Sequence, residues 1–267
     1  MNRSSGARLC AAAVVGALSL ALVTGCSSDD GKKDKGSKGS GSGSGAAASS
    51  SAPAAEALTA AELEKLLLVQ GEVKGLNVES GDDTLPKSKS TVQVDDEACA
   101  PLAYAMAALP PGETDAGASN TVTEDKSADA TTSVEDLTEA DIENAFDVAA
   151  TFVGLSSYAG DGAEKALQAV VDGIDACSGG FGITADGEDQ KITKITADKA
   201  SVAGDGSAAF AAVVDTGGDG PATFHVEVVR SGGTLATFYA INLSALANGG
   251  ESEVPAAVVE AQVAKLK

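Results

Sequence analysis

KITKITADKASVAGDGSAAFAAVVDTGGDGPATFHVEVVRSGGTLATFYAINL, residues 191–243, carries four runs rich in β-branched, aromatic and small apolar side chains. The runs are Lys191–Ala197, Ala208–Asp215, Ala222–Arg230 and Leu235–Leu243. Gly204-Asp205-Gly206, Gly217-Gly218-Asp219-Gly220 and Gly232-Gly233 separate them. Strand-forming runs at this spacing, broken by turn-forming glycines, predict an antiparallel meander. Pro255 then opens a helix whose Val258, Val259, Val263 and Leu266 are apolar.

The elements upstream are more mixed. Thr59-Ala60-Ala61-Glu62 has the form of a capping box, with Leu63, Leu66 and Leu67 on one face and Gly71 beyond the end. Strands are expected around Val73–Glu79 and at Thr91–Val94, with a polar turn at Asp82, Asp83 and Pro86 between them. Ala98–Leu109 reads as an apolar helix that carries Cys99, tolerates Pro101 in its first turn and stops at Pro110-Pro111. Ser119–Glu124 and Thr131–Glu135 read as strands. Thr138-Glu139-Ala140-Asp141 resembles a helix start, but Phe146, Val148, Ala150 and Phe152 alternate, so a helical turn and then a strand with one buried face, to Tyr158, is expected. Ala163–Cys177 is a helix with Ala166, Leu167, Val170, Val171 and Ile174 on one face. Strand runs mixed with packing helices, without βαβ alternation, define the fold class as α+β: a mostly antiparallel twisted sheet with helices packed on it, in a single domain with one disulfide.

The disulfide follows from cysteine arithmetic. The 267-residue chain has four cysteines. Cys10 and Cys26 fall in the N-terminal leader, which leaves Cys99 and Cys177 as a pair for an oxidising compartment. Free thiols or a metal pair are the rival reading, and a chain with one histidine gives a zinc site little support.

That leader is the clearest targeting signal. Arg3 and Arg8 precede an uncharged apolar run, Leu9–Leu22. The run is about 14 residues, too short for the roughly 20 of a spanning helix, and it fits a signal peptide. Val23-Thr24-Gly25-Cys26 resembles a bacterial lipobox. The resemblance implies a lipoprotein signal peptide over residues 1–25, with Cys26 acylated (diacylglycerol and palmitate) and the chain anchored at the outer face of the cell membrane. Residues 26–55 then form a Gly/Ser- and Ala/Ser-rich disordered linker, whose composition cannot bury enough apolar surface to order itself. Residues 56–267 are the extracellular domain.

Composition narrows the partners. The formal net charge is −21, and loss of Arg3 and Arg8 with the leader makes it −23. Such a chain repels nucleic acid, whose binding rests on phosphate neutralisation. Trp is absent, so the core must rest on aliphatic side chains.

The catalytic inventory is short. His225, the single histidine, lies inside a predicted strand and reads as a structural or surface residue. No nucleophile elbow, phosphate-binding loop or dinucleotide fingerprint occurs. The acidic clusters Asp82-Asp83, Asp95-Asp96-Glu97, Glu135-Asp136 and Glu188-Asp189 lack calcium-loop spacing. Asp161-Gly162, Asp186-Gly187, Asp205-Gly206 and Asp219-Gly220 read as turns. The reading is therefore not an enzyme, with no cofactor, no metal and no catalytic residue assigned.

Ser156-Ser157-Tyr158, the helix ending at Cys177, Val202-Ala203-Gly204-Asp205, Val228-Val229-Arg230-Ser231-Gly232 and Gln262-Val263-Ala264-Lys265-Leu266 together carry a resemblance. Over residues 58–267 the chain resembles actinobacterial sensor-domain lipoproteins, which are similar to the extracellular domain of PknH-type Ser/Thr kinases. The resemblance implies a mixed sheet with helices around a cleft for an unknown ligand. This chain has one available Cys pair where the kinase domain has two, and no ligand-binding residues are carried over. The expected function is a non-enzymatic ligand-binding or sensor-like module of the cell envelope, with a small-molecule or envelope ligand as partner. Two alternatives stand beside it: a structural or protein-interaction lipoprotein, and a lipid carrier with an apolar cavity.

Overall fold

The four runs within residues 191–243 form the centre of one ten-stranded sheet. The computed structural model describes residues 56–80, 85–114, 116–125, 147–185, 187–201, 204–217 and 220–267. The leader, Cys26, the linker, the strand expected at Thr131–Glu135 and the helical turn expected at Thr138–Asp141 lie outside the described residues. The strands are β1 Leu76–Ser80, β2 Val92–Val94, β3 Gly117–Glu124, β4 Ala149–Ser157, β5 Phe181–Ala185, β6 Glu188–Asp198, β7 Gly206–Asp215, β8 Ala222–Ser231, β9 Thr234–Asn242 and β10 Gly250–Ser252. The α-helices are α1 Ala60–Glu64, α2 Ala100–Met106, α3 Gly162–Ala176, α4 Leu243–Asn248 and α5 Ala256–Ala264.

The strand order is β1-β3-β4-β9-β8-β7-β6-β5-β2, and every neighbouring pair in it is antiparallel. Strand β10 is the exception. It runs parallel to β8 along Ala222–Phe224, a stretch where β9 is no longer paired with β8. The described elements all belong to one compact unit. The fold is the α+β class expected, and Cys99 and Cys177 are bonded, with their Cα atoms 5.9 Å apart.

Helices cover both faces of the sheet. Helices α2 and α3 pack on one face over Phe152, Phe224 and Tyr239, whose rings meet at centroid distances of 6.2 and 6.0 Å. Helices α1 and α5 pack on the other, over Val153, Leu155 and Phe238. The double cover corrects the expectation for β4. That strand is buried from Thr151 to Ser157 without alternation, because each face meets a helix layer. Gly154 shows how close the layers come. A Cβ there would strike the carbonyl oxygen of Ala108 and lie 2.6 Å from Thr237 Oγ1.

Other differences are local. Helix α3 buries Ala166, Leu167, Val170 and Ile174, but Val171 stands outside that stripe, 38% exposed. The helix expected over Ala98–Leu109 is shorter. A 3-10 turn at Glu97–Cys99 leads into it, and a Schellman cap closes it. The N–H of Leu109 reaches Tyr104 O at 2.9 Å and that of Ala108 reaches Ala105 O at 3.2 Å. Ala108 takes the left-handed position of that cap, at φ 52°, where glycine is usual. Leu243 was expected to end a strand but begins α4, because the Asn242 side chain accepts from Ala245 N at 3.1 Å and caps a helix there.

The outer side of β1 is a sheet edge, and Gln70 occupies part of it. Its side-chain amide donates to Leu76 O at 3.3 Å and accepts from Val78 N at 2.7 Å, which mimics a neighbouring peptide group. At the other edge β2 is only three residues long.

Candidate functional site

A cleft of about 1020 Å³ opens where β1 and β3 meet the ends of α1 and α2. One wall is the chain just after α1, Leu67–Gln70. The opposite wall is Ala107–Pro110, the cap of α2. The β3 segment Gly117–Asn120 forms the floor, and Leu85–Ser90 forms the rim.

The first wall is held almost wholly by side chains from elsewhere. Leu66 and Leu67 lie in the turn just beyond α1, and donors on α5 and its C-cap reach their carbonyls. Gln262 Nε2 donates to Leu66 O at 2.8 Å and Gln262 Oε1 accepts from Leu68 N at 3.0 Å. Lys265 Nζ donates to Leu67 O at 2.7 Å and also pairs with Glu72. That hydrogen bond holds the Glu72 carboxyl below the usual carboxylate range. From the floor, Asn120 Nδ2 donates to Leu68 O at 2.7 Å.

Asn120 is the informative residue. It is 2% exposed, and its Oδ1 is buried without a hydrogen-bond partner among the described residues. Turning the amide over would set that oxygen against Leu68 O, so the bond through Nδ2 fixes its orientation. A buried acceptor left unpaired costs about 1–3 kcal/mol. The opposite wall stores strain as well: a non-glycine residue in the left-handed region costs about 1–2 kcal/mol, and Ala108 is such a residue.

The loop beyond α2 is fixed by Tyr158. Its hydroxyl accepts from Gly112 N at 3.2 Å and from Ser156 Oγ at 3.1 Å. Burial pushes the Tyr158 phenol above its ordinary value. Lys89 donates to Gly112 O and lies 5.1 Å from the centre of the Tyr104 ring. We expect Tyr158→Phe to lower stability by about 1 kcal/mol, the usual net worth of such a bond, in a urea titration. An unchanged midpoint would mean the hydroxyl does not hold the loop.

The motifs that carried the family resemblance have structural roles. Ser157 Oγ accepts from Leu58 N at 2.9 Å. Arg230 donates to Asp205 O at 2.9 Å and Ser231 Oγ to Leu266 O at 3.1 Å. The Asp-Gly and acidic pairs behave similarly. Asp205 accepts from Gly232 N, Asp96 caps the 3-10 turn before α2, and Asp161 precedes α3, paired with Lys165 at 2.9 Å. Asp82, Asp83, Glu135, Asp136, Asp186 and Asp219 lie outside the described residues.

His225 sits away from the cleft, on the sheet face opposite α3. Its Nδ1 is 2.7 Å from Asp198 on β6 and its Nε2 is 2.7 Å from Glu251 on β10. Carboxylates only accept, so both contacts are hydrogen bonds when the ring carries two protons. Both partners are distant in the chain, so the sequence around His225 gives no sign of this cluster. Even so, no group of three or more His, Cys, Asp or Glu side chains among the described residues could hold a metal ion. The cluster is a clasp that ties β10 to the sheet. In His225→Ala, the β10 amides should exchange roughly tenfold faster, the loss expected for charge-assisted bonds that are partly exposed. Unchanged exchange would show that strand pairing alone retains β10.

No family model matches the chain. No curated protein matches it. Among solved structures, it is similar to the extracellular domain of PknH from Mycobacterium tuberculosis, at 13% identity over 79% of this chain and 95% of that chain. The TM-score is 0.41, a weak likeness of fold.

Proposed function

We propose that this protein is a non-enzymatic ligand-binding module of the cell envelope, held at the outer face of the membrane through lipid on Cys26. The observation that carries the binding reading is the cleft with Asn120 Oδ1, an acceptor buried without a partner among the described residues. The lining mixes aliphatic side chains with polar and charged ones, Gln70, Lys87, Lys89 and Asn120 among them, and small-molecule sites combine apolar walls with a few placed polar groups. The volume lies at the upper end of the roughly 300–1,000 Å³ of such sites. The disulfide suits an oxidising compartment. No helix among the described residues is long and apolar enough to cross a membrane. The exposed large hydrophobics Val69, Val171 and Leu243 lie on three different segments, an arrangement that does not favour a flat interaction patch.

Native mass spectrometry of residues 50–267, exported and purified from the producing cell's envelope, tests the reading. The expected result is an added mass that leaves on denaturation. A clean protein mass from several preparations would overturn it.

A further inference from the structure

Strand β10 is lightly secured. It is three residues long and, among the described strands, the one that runs parallel to its neighbour. It covers β8 at Ala222–Phe224, where β9 no longer pairs with β8. Gly249 and Gly250 lead into it at φ 74° and 139°, a backbone that a side chain would strain. Ser252 on this strand is 4% exposed, and its Oγ has no hydrogen-bond partner among the described residues. A buried hydroxyl left in that state costs stability rather than adding to it. Segments with so few ties open locally before the whole protein unfolds.

A side chain of β8 supplies the missing tie. His225 Nδ1 lies 2.7 Å from Asp198 Oδ2 and Nε2 lies 2.7 Å from Glu251 Oε1. A neutral imidazole has one N–H and a protonated one has two. The neutral ring can donate to one carboxylate only, and the other then faces a nitrogen lone pair. The protonated ring donates to both, and joins β6, β8 and β10. The His225 side chain is 16% exposed, so water delivers the proton directly.

The strand register names the charges around the ring. On the same face, Asp198 and Lys194 come from β6, Glu227 from β8 and Glu251 from β10, with Glu253 just beyond it. Strand β7 presents Ala209, Ala211 and Val213 there. Helix α4, which packs on β8 and β10, carries no charged residue. Glu227 is engaged by Ser201, whose N–H and hydroxyl donate to it at 3.0 and 2.8 Å. The Asp198 carboxyl is held below its ordinary value, mainly by the N–H of Lys199 and further by the ring, so it stays charged at neutral and mildly acid pH.

We propose that His225 is a proton-operated clasp, which closes β10 onto β8 in mildly acid conditions and lets it open as the pH rises toward 8. Histidine is the side chain whose charge ordinarily changes between pH 5 and 8, and this chain has one. Opening bares the β8 edge at Ala222–Phe224, which β9 has already left.

Hydrogen exchange of residues 50–267 at pH 5.5 and 8.0, corrected for the intrinsic rate at each pH, tests this. Protection of the β10 amides should fall at least about threefold from pH 5.5 to 8.0, within the range for one net hydrogen bond. Protection at Phe210 and Val226 should stay level. In His225→Gln the β10 values should not change with pH, because the new amide does not titrate. In Glu251→Gln the fall should shrink, since the neutral ring can accept from the new amide at Nε2 and still donate to Asp198. Level β10 protection in the parent, or the same fall in His225→Gln, would overturn the proposal. So would a nitrogen-15 spectrum showing the His225 ring neutral at pH 5.5.

Discussion

Replacing Cys99 and Cys177 together by serine should lower the unfolding free energy by about 4–5 kcal/mol, the largest effect we expect from any paired substitution. The bond closes a loop with a sequence separation of 78 residues. Cross-linking a loop of that length removes roughly 15 cal/mol/K of entropy from the unfolded chain in the chain-entropy model. Against a typical total of about 5–15 kcal/mol, the loss is a large share of stability. It also has a structural focus. The two sulfurs join the turn before α2 to the end of α3, so both helices of one layer depend on the same bond. For a domain of this size about 1 kcal/mol corresponds to roughly 2–4 °C, so the midpoint should fall by about 10 °C or more. Circular dichroism melts of the oxidised, reduced and double-serine proteins measure it. Agreement of all three within about 2 °C would refute the estimate.

Gln262→Leu should cost about 2–4 kcal/mol, although leucine is similar in size and more apolar. Gln262 is 0% exposed and is surrounded by Val258, Val259 and Val263. The substitution strips partners from Leu68 N–H and Leu66 C=O at once. Each unpaired buried group costs about 1–3 kcal/mol, which outweighs the apolar gain. Urea titration gives the stability. Hydrogen exchange over residues 66–70 gives the local effect, since those amides belong to the cleft wall that Gln262 holds. A variant as stable as the parent, with that wall still protected, would show that α5 does not support the site.

The meander was legible because its chemistry is local. Valine, isoleucine and phenylalanine runs between glycine turns leave few alternatives for the strands, although the register shift between β6 and β7 at Ile192/Lys194 left no such mark. Cysteine count pointed to Cys99 and Cys177 as a pair and left free thiols open until the structure showed the bond, and Thr59 with Glu62 marked the start of α1. What escaped was whatever depends on a second segment. The β4 alternation suggested one buried face, yet a helix layer on each side buries both. Asn120 lies in a strand that reads as ordinary, and only the fold shows that one end of its amide is committed and the other is not. Gln262 did leave a signal, a lone amide on an otherwise apolar helical stripe, but its partners lie almost two hundred residues away in the chain. His225 was equally opaque, since Asp198 and Glu251 reach it from different strands. The cleft is drawn from five separate segments, and no local pattern encodes such a meeting.

Gln70 has a consequence for the protein in company. An open strand edge is a template on which a second copy can add its own strand. The glutamine already sits where such an intruder would place its first peptide unit, with both hydrogen bonds taken. Copies crowded on one surface would therefore meet without a ready seam along β1. The same side chain that caps part of this edge also holds the two backbone groups through which a neighbouring strand would join there.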